Sequence, residues 1–173
     1  MNIGIMVHSH TGNTLFAAKK LQEALAAAGH LVTIHNVSAI NDEEADYQKI
    51  KLDSRPETAM YDALFFGAPV RGFSLSPVMR AYLTSIGPLS GKRTACFVTQ
   101  HLPYAWMGGR RALRHMGAIC KLKGSAPFGT GVINWSKAPV REKQIEAMAG
   151  DLSAALQALS LNTSPRPDKE TKK

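Results

Sequence analysis

A short hydroxyl-rich segment lies between an apolar run and a helix-forming run near the start of the chain. It consists of Ser9, His10, Thr11, Gly12, Asn13 and Thr14. The first N–H groups of a helix lack intrahelical partners, and the helix dipole adds partial positive charge there, so such a turn can bind an anion. The hydroxyl groups supply further donors, and the glycine lets a ligand approach the backbone closely. Because the segment contains no Lys and does not match a nucleoside-triphosphate loop, it predicts one phosphate held by neutral donors.

These residues resemble the phosphate loop of flavodoxins, S/T-x-T-G-x-T, which wraps the phosphate of FMN. The spacing from the loop to Ala18 and Leu21 also fits the wider flavodoxin signature, whereas Val7 stands where that family usually has Phe or Tyr. The alternative interpretation is an ordinary N-capped turn, because Ser and Thr are common before helices. The number of matched positions favours the resemblance, which implies noncovalently bound FMN.

Apolar segments and helix-forming segments alternate along the chain. We expect strands at residues 3–7, 31–37, 63–66, 94–99 and 126–133, and helices at residues 15–28, 76–86, 108–122 and 139–159. Near-continuous apolar strands separated by helices indicate a parallel sheet covered on both faces. The predicted fold is a three-layer α/β flavodoxin-like fold with strand order 2-1-3-4-5 and a ligand at the carboxyl ends of strands 1 and 3.

The predicted domain covers residues 1–160. Residues 38–60 are rich in acids and lack a clear helical period, so we expect a partly helical, mobile loop there. Residues 161–173 form a tail rich in charge and proline, which we expect to be disordered.

A second ligand loop is expected after the third strand. Glycines there give the backbone room for unusual angles, and a proline stiffens the turn. Residues 67–71 read Gly, Ala, Pro, Val, Arg, which resembles flavodoxin-like quinone reductases more than the Trp-bearing loop of short electron-carrier flavodoxins. An ordinary Gly/Pro turn is the alternative. The resemblance implies that the flavin ring lies against Ala68, Pro69, Val70, Arg71, Gly72 and Phe73.

A third loop follows the fourth strand. Flavodoxins place here a Tyr that stacks on the flavin ring, commonly beside an Asp. Tyr104 is the best match and Trp106 the alternative, although both could instead pack the loop onto the domain. The acid is absent, and Gly108 and Gly109 again resemble the quinone-reductase branch. The implied ring contacts of this loop are Thr99, Gln100, His101 and Tyr104.

Charge is unevenly distributed along the 173 residues, whose formal net charge is +8. Seven of the 13 acidic residues lie within residues 42–62, whereas residues 63–141 contain 11 Lys and Arg and no acid. A positive field over the flavin side would stabilise the anionic reduced flavin and favour two-electron chemistry. Solvated helix faces account for part of this surplus, because salt screens separated surface charges. The candidate sources of the field are Arg71, His101, Arg110 and Arg111.

Two classes of function remain. The first is an electron carrier that exchanges electrons with a redox partner protein, and the second is an FMN-dependent NAD(P)H oxidoreductase that reduces a quinone-like acceptor. Nucleic-acid binding is disfavoured, because the basic composition comes with no nucleic-acid-binding motif. The residue order suggests neither a Ser-His-Asp arrangement nor a metal site, and the two cysteines give no disulfide framework. No apolar run approaches the ~20 residues of a membrane span, and the first strand leaves no room for a signal peptide. We therefore expect a cytoplasmic protein. The sequence is compatible with an oligomer.

Overall fold

A parallel β-sheet forms the middle layer of the protein. The computed structural model describes residues 1–162. The strands are β1 (Asn2–Val7), β2 (Leu31–Asn36), β3 (Ser38–Ala39), β4 (Leu52–Ser54), β5 (Ala63–Arg71), β6 (Ser74–Leu75), β7 (Arg93–Gln100) and β8 (Ala126–Asn134). The α-helices are α1 (Asn13–Ala27), α2 (Pro77–Ser85), α3 (Gly109–Leu122) and α4 (Ala138–Asn162). The main sheet has the order β2-β1-β5-β7-β8 with all these pairs parallel, which confirms the predicted topology and fold class.

Alternating side chains of the strands feed two cores, one on each face of the sheet. In β1, Ile3 and Ile5 pack with α1 and α4, whereas Met6 points to the face that α2 and α3 cover. The same alternation separates Phe65 from Phe66 in β5. All five side chains are fully buried, as expected for central strands with helices on both faces.

The third strand of the main sheet is longer than predicted. It continues from residue 66 to Arg71 and turns back through β6 as an antiparallel hairpin, pairing Val70 with Leu75. The two turn residues, Gly72 and Phe73, both have positive φ angles of 54° and 57°. Such a turn matches the right-handed twist of the two strands, although it is strained at the aromatic residue. The second ligand loop is therefore a hairpin that extends the sheet.

The acidic residues 38–60 contain no α-helix. Instead, β3 and β4 pair antiparallel, and one turn of 3₁₀ helix spans Tyr47–Lys49. Asp46 caps this turn, because its side chain accepts a hydrogen bond from the backbone N–H of Gln48. The segment packs on α2, where the guanidinium of Arg80 lies 3.9 Å from the centre of the Tyr47 ring. A lone 3₁₀ turn is consistent with the absence of a helical period in the sequence.

Helix α4 continues to Asn162, two residues beyond the predicted end of the domain at residue 160. Apart from these two residues, the predicted disordered tail, residues 161–173, lies outside the described residues. Within residues 1–162, no helix is both long enough and apolar enough to cross a membrane.

Candidate functional site

A cleft of about 160 Å³ opens where β1, β5 and β7 end. Neighbouring parallel strands end at the same edge of the sheet, so the loops that follow them meet there. The structure brings together one or more residues from each of the three predicted ligand loops. The lining residues are His10, Thr11, Asn13, Pro69, Val70, Arg71, Thr99, Gln100, His101 and Trp135.

The first wall of the cleft is the start of α1. Gly12 stands at the N-cap position with φ 90° and has no side chain that could cap the helix. The Ser9 hydroxyl oxygen accepts from the Leu15 N–H at 3.2 Å, and the Gly12 carbonyl accepts the next N–H of the helix. Within the described part of the chain, the N–H groups of Asn13 and Thr14 have no acceptor. Two uncapped amides at a helix N-terminus are a site for an anion.

Thr14 has a different environment from the other residues of this loop. Its side chain is buried, and its hydroxyl lies 2.8 Å from the hydroxyl of Thr99 at the end of β7. The pair links the first and third loops beneath the cleft. The side chains of Thr11 and Asn13 instead lie on the cleft surface.

The second wall is the β5–β6 hairpin. Pro69 and Val70 line the cleft, whereas Ala68 is buried in the core between the sheet and α2. Gly72 and Phe73 form the turn, and the Phe73 ring is exposed. Among the six residues predicted from this loop, the structure thus places three on the cleft: Pro69, Val70 and Arg71.

Gly108 joins the second and third loops. A Cβ atom on Gly108 would lie 2.7 Å from the Val70 side chain and 2.9 Å from the backbone of Phe73, and its φ of 117° is unfavourable for any other residue. We expect Gly108→Ala to destabilise the protein by about 1–3 kcal/mol, because it adds both a clash and backbone strain.

The matched control for this change is Gly117→Ala in α3, where a new Cβ would meet nothing within 4 Å. That change should stabilise the protein by up to about 1 kcal/mol, because Ala favours helix. Urea unfolding measures both variants. Equal stabilities of the Gly108→Ala and Gly117→Ala variants would contradict the close contact between the second and third loops.

Gln100 shapes the third wall. Its side-chain N–H₂ donates to the carbonyls of Leu102 and Tyr104, each at 2.7 Å, which fixes the path of the loop. Its side-chain oxygen Oε1 is buried and has no hydrogen-bond partner among the described residues. An unsatisfied buried acceptor of this kind costs free energy unless a ligand or water donates to it.

Tyr104 and Trp106 stack on each other, with ring centroids 6.1 Å apart and planes 7° from parallel. Both rings are exposed, and neither contributes to the cleft lining as the described residues define it. His101, in contrast, is a lining residue. The stacking of either aromatic ring on a ligand therefore stays a prediction.

Among residues 1–162, Trp135 is the Trp, Tyr or Phe that lines the cleft, and the sequence did not predict it there. It directly follows β8, and its ring meets Phe16 edge-on with centroids 6.1 Å apart. The Arg141 guanidinium lies 4.9 Å from the centre of the same ring. Its position at the carboxyl end of a parallel strand was the available signal.

A hydrogen-bonded line of Ser76, His8 and Asp42 runs beside the cleft, although the residue order suggested no such arrangement. His8 Nδ1 is 2.8 Å from the Ser76 hydroxyl oxygen, and Nε2 is 2.9 Å from Asp42 Oδ1. Ser76 is fully buried and also caps α2 by accepting from the Met79 N–H. A substrate has no access to its hydroxyl, so the line fixes structure and supplies no nucleophile.

Acidic side chains of the segment 38–60 contact Arg71, which belongs to the acid-free residues 63–141. Arg71 donates to the Asp42 carbonyl at 2.6 Å and to the Asp42 carboxylate at 3.3 Å, and it pairs with Glu43 at 3.1 Å. His10 lies 2.6 Å from the other Asp42 oxygen. These contacts reduce the positive field that Arg71 was expected to provide. Arg111 lines a neighbouring cavity and Arg110 a separate pocket with α3 and β8 residues.

Burial lowers the pKa of His8, although the Asp42 charge and hydrogen bond oppose the shift. Partial burial acts to raise the pKa of Asp42, but the hydrogen bond from His10 and the charges of His8 and Arg71 hold it below its usual value. A lowered histidine pKa means that the unfolded chain binds more protons just below pH 6.5. Stability must then fall as the pH falls through that window, and Asp42 adds a further loss only below about pH 4.

We therefore expect wild-type stability to decrease between pH 7 and pH 5. His30 and His115 contribute as well, because burial also lowers their pKa values. His8→Gln should flatten the dependence by up to about 1.4 kcal/mol per pH unit, the effect of one proton. Urea unfolding at several pH values measures the slope. A slope unchanged by His8→Gln would show that His8 is not held neutral.

Known proteins share the architecture of this chain. A flavodoxin-like, WrbA-like protein from Agrobacterium tumefaciens superposes with a TM-score of 0.68 at 12% identity, covering 92% of this chain and 98% of the other. The flavodoxin of Streptococcus pneumonia superposes with a TM-score of 0.66 at 16% identity, covering 92% and 99%. At such identities the likeness shows the fold, and the resemblance to flavodoxins is confirmed at that level.

One curated relative, an NAD(P)H dehydrogenase (quinone) from Archaeoglobus fulgidus, is 29% identical over 126 aligned positions, and the match covers 62% of this chain. The match spans 64% of that relative's length, slightly less than two thirds. No protein-family model matches the chain.

Proposed function

We propose that this chain, which has the flavodoxin-like fold, binds FMN noncovalently in the cleft and transfers electrons through it. One observation carries the proposal: residues of all three loops line one cleft beside two unpaired amides at the start of α1. The proposal accounts together for the loop sequence, the helix terminus and the cleft. The Thr99 and Gln100 positions at the end of β7 complete the site.

The residues present fit the phosphate end of such a cofactor, whereas the cleft, of about 160 Å³, encloses only part of a ligand of that size. The amides of Asn13 and Thr14 suit a phosphate, because they are uncapped and lie at the positive end of the α1 dipole. The open space around Gly12, where a new Cβ would meet nothing within 4 Å, leaves access to this backbone. Gln100 lines the cleft, but its unpaired Oε1 is buried against Gly109 at the start of α3.

The bound flavin supplies the electron-accepting ring, and the protein supplies its position and surroundings. Ser9 retains a hydroxyl hydrogen to donate, because its oxygen already accepts from Leu15. Val70 and Trp135 give the cleft apolar surface. Arg71 sits at the rim with its guanidinium fixed by Asp42 and Glu43, so it contributes a stationary charge that these acids partly offset.

A second candidate is an NAD(P)H-dependent quinone oxidoreductase that uses the same FMN. The named relative from Archaeoglobus fulgidus supports it, since that protein is described as an NAD(P)H dehydrogenase (quinone). The 11 Lys and Arg of residues 63–141 support it too, because a basic surface attracts an anionic dinucleotide. The electron carrier would instead use a redox partner protein, and we propose a cytoplasmic location for either.

Flavin released by denaturing the purified protein tests the first proposal. Chromatography should identify FMN and neither FAD nor riboflavin, because the amides of Asn13 and Thr14 suit a terminal phosphate. Protein that is isolated without flavin and fails to bind added FMN would contradict it.

Anaerobic mixing of the FMN-loaded protein with NADPH separates the two candidates. Loss of the flavin absorbance within seconds, followed by its return on adding a quinone, supports the reductase. Flavin that stays oxidised with NADPH but is reduced by a low-potential protein donor supports the carrier. The FMN-loaded Asn13→Asp variant, altered at the phosphate loop only, is the control for effects of weaker binding.

A further inference from the structure

A second cavity, of about 500 Å³, lies next to the cleft, and Arg71 lines both. Its volume is within the range of roughly 300–1,000 Å³ that small-molecule sites occupy. The acidic segment contributes Glu43 and Glu44, whereas α2 and α3 contribute Arg80, Arg111 and His115. Apart from Arg71 and Gly72, no residue of the predicted ligand loops lines this cavity among residues 1–162.

The acidic side chains of the cavity already have partners. Glu43 pairs with Arg71 at 3.1 Å and with His10 at 3.4 Å. Glu44 accepts a hydrogen bond from the backbone N–H of Asp46 at 2.9 Å. Glu43 is thus paired with two basic side chains, whereas the hydrogen bond from a neutral amide leaves the negative charge of Glu44 in place.

Unlike Arg71, the basic side chains that α2 and α3 contribute have no acidic partner among the described residues. Within residues 1–162, neither Arg80 nor Arg111 forms an ion pair with an acid, although both line the cavity. Arg80 is nevertheless held in place, because its guanidinium lies 3.9 Å from the centre of the Tyr47 ring. Arg111 and His115 are four residues apart on α3 and therefore lie on one face of the helix.

His115 reports the same surplus of positive charge. Burial lowers its pKa, and the charges of Arg80, Arg111 and Arg114 lower it further. Its Nδ1 lies 3.5 Å from the Ser74 hydroxyl oxygen on β6. A dianion placed among these groups would reverse the repulsion and let His115 take up a proton.

We propose that this cavity binds a phosphate group of a small ligand, with Arg80 and Arg111 as its principal contacts. Guanidinium groups suit phosphate because each presents paired donors to its oxygens. The fixed plane of Arg80 lowers the entropy cost of forming such a contact. The phosphate group belongs either to a nucleotide, NADPH, or to a free phosphate ion. Only the binding of NADPH rests on the function proposed above.

The test is a titration of the full-length protein with pyrophosphate, observed through the ring resonances of His115 by NMR. FMN is present in excess so that the phosphate loop at α1 is filled. We expect a saturable shift of the His115 signals toward the protonated form. Arg111→Gln should raise the dissociation constant at least tenfold.

The matched control is Arg110→Gln, which removes the same charge from the neighbouring residue of α3. Arg110 lines a different pocket, with Leu113 and Pro127. Its variant should bind pyrophosphate within about twofold of wild type. The absence of a saturable His115 shift, or equal weakening by the two variants, would overturn the proposal.

Competition identifies the source of the phosphate. If NADPH displaces pyrophosphate and NADH does not, the cavity binds the phosphate group that NADPH carries and NADH lacks. If neither nucleotide displaces pyrophosphate, the cavity binds free phosphate. Either result supports phosphate binding in the cavity. A protein that binds no FMN would refute the flavin proposal alone, because the His115 signals still report on the cavity.

Discussion

Asn13→Asp should lower FMN affinity on the order of 100-fold while leaving the protein as stable as wild type or slightly more stable. Asn13 is the first residue of α1 and lines the cleft. A new carboxylate there repels a phosphate a few ångströms away by about 3 kcal/mol at an effective dielectric constant near 20. At the same position an acid stabilises the helix by about 0.3–1 kcal/mol through the dipole.

Fluorescence titration of the apoprotein measures the affinity, and urea unfolding measures the stability. Riboflavin, which lacks the phosphate, should bind Asn13→Asp as it binds wild type. Asn13→Ala removes the side-chain carboxamide, keeps the backbone N–H and adds no charge. It should therefore keep most of the FMN affinity. If the acidic variant bound FMN normally, the start of α1 would not be the phosphate site.

The largest effect on folding is expected from Gly67→Ala. Gly67 of β5 pairs with Phe97 of β7, and a Cβ on the glycine would lie 2.2, 2.6 and 2.8 Å from three atoms of that ring. Phe97 is fully buried, and the close packing of protein interiors leaves its ring little room to move. We expect a loss of about 3 kcal/mol and a melting temperature lower by roughly 6–12 °C.

Phe97→Leu supplies a rescue, because the smaller side chain vacates the space above Gly67. The double variant should be more stable than the sum of the single changes by at least about 1 kcal/mol. Gly150→Ala in α4, where a Cβ meets nothing within 4 Å, should raise the melting temperature slightly. Additive effects at residues 67 and 97 would contradict the ring-over-glycine packing.

The fold was predictable because its signals are local. Apolar strands alternate with helices, and this pattern predicts a parallel sheet covered on both faces. The strand order, which the structure confirms, followed from the resemblance to flavodoxins. The turn at Gly12 was likewise readable, since a glycine between hydroxyl residues directly before a helix favours an anion site. The hairpin of β5 and β6 was missed because its turn contains Phe73, which sequence rules do not place at positive φ.

The surroundings of the site were less predictable because they depend on contacts distant in sequence. Arg71 and His8 bond Asp42 across 29 and 34 residues, and the path of residues 38–60 decides whether they meet. A count of charges along the chain therefore overstated the positive field near Arg71. Trp135 belongs to the last strand's end, so only the assembled sheet brings it to the cleft.

The difference between FMN and riboflavin affinity tests the central claim most directly. The two ligands share the ring and differ in the phosphate, so their ratio isolates the contribution of the α1 amides. Charge-assisted hydrogen bonds contribute about 1.5–3 kcal/mol each, and two of them predict at least ~100-fold tighter binding of FMN by the wild-type apoprotein. Equal affinities for FMN and riboflavin, or no binding of either, would contradict the account.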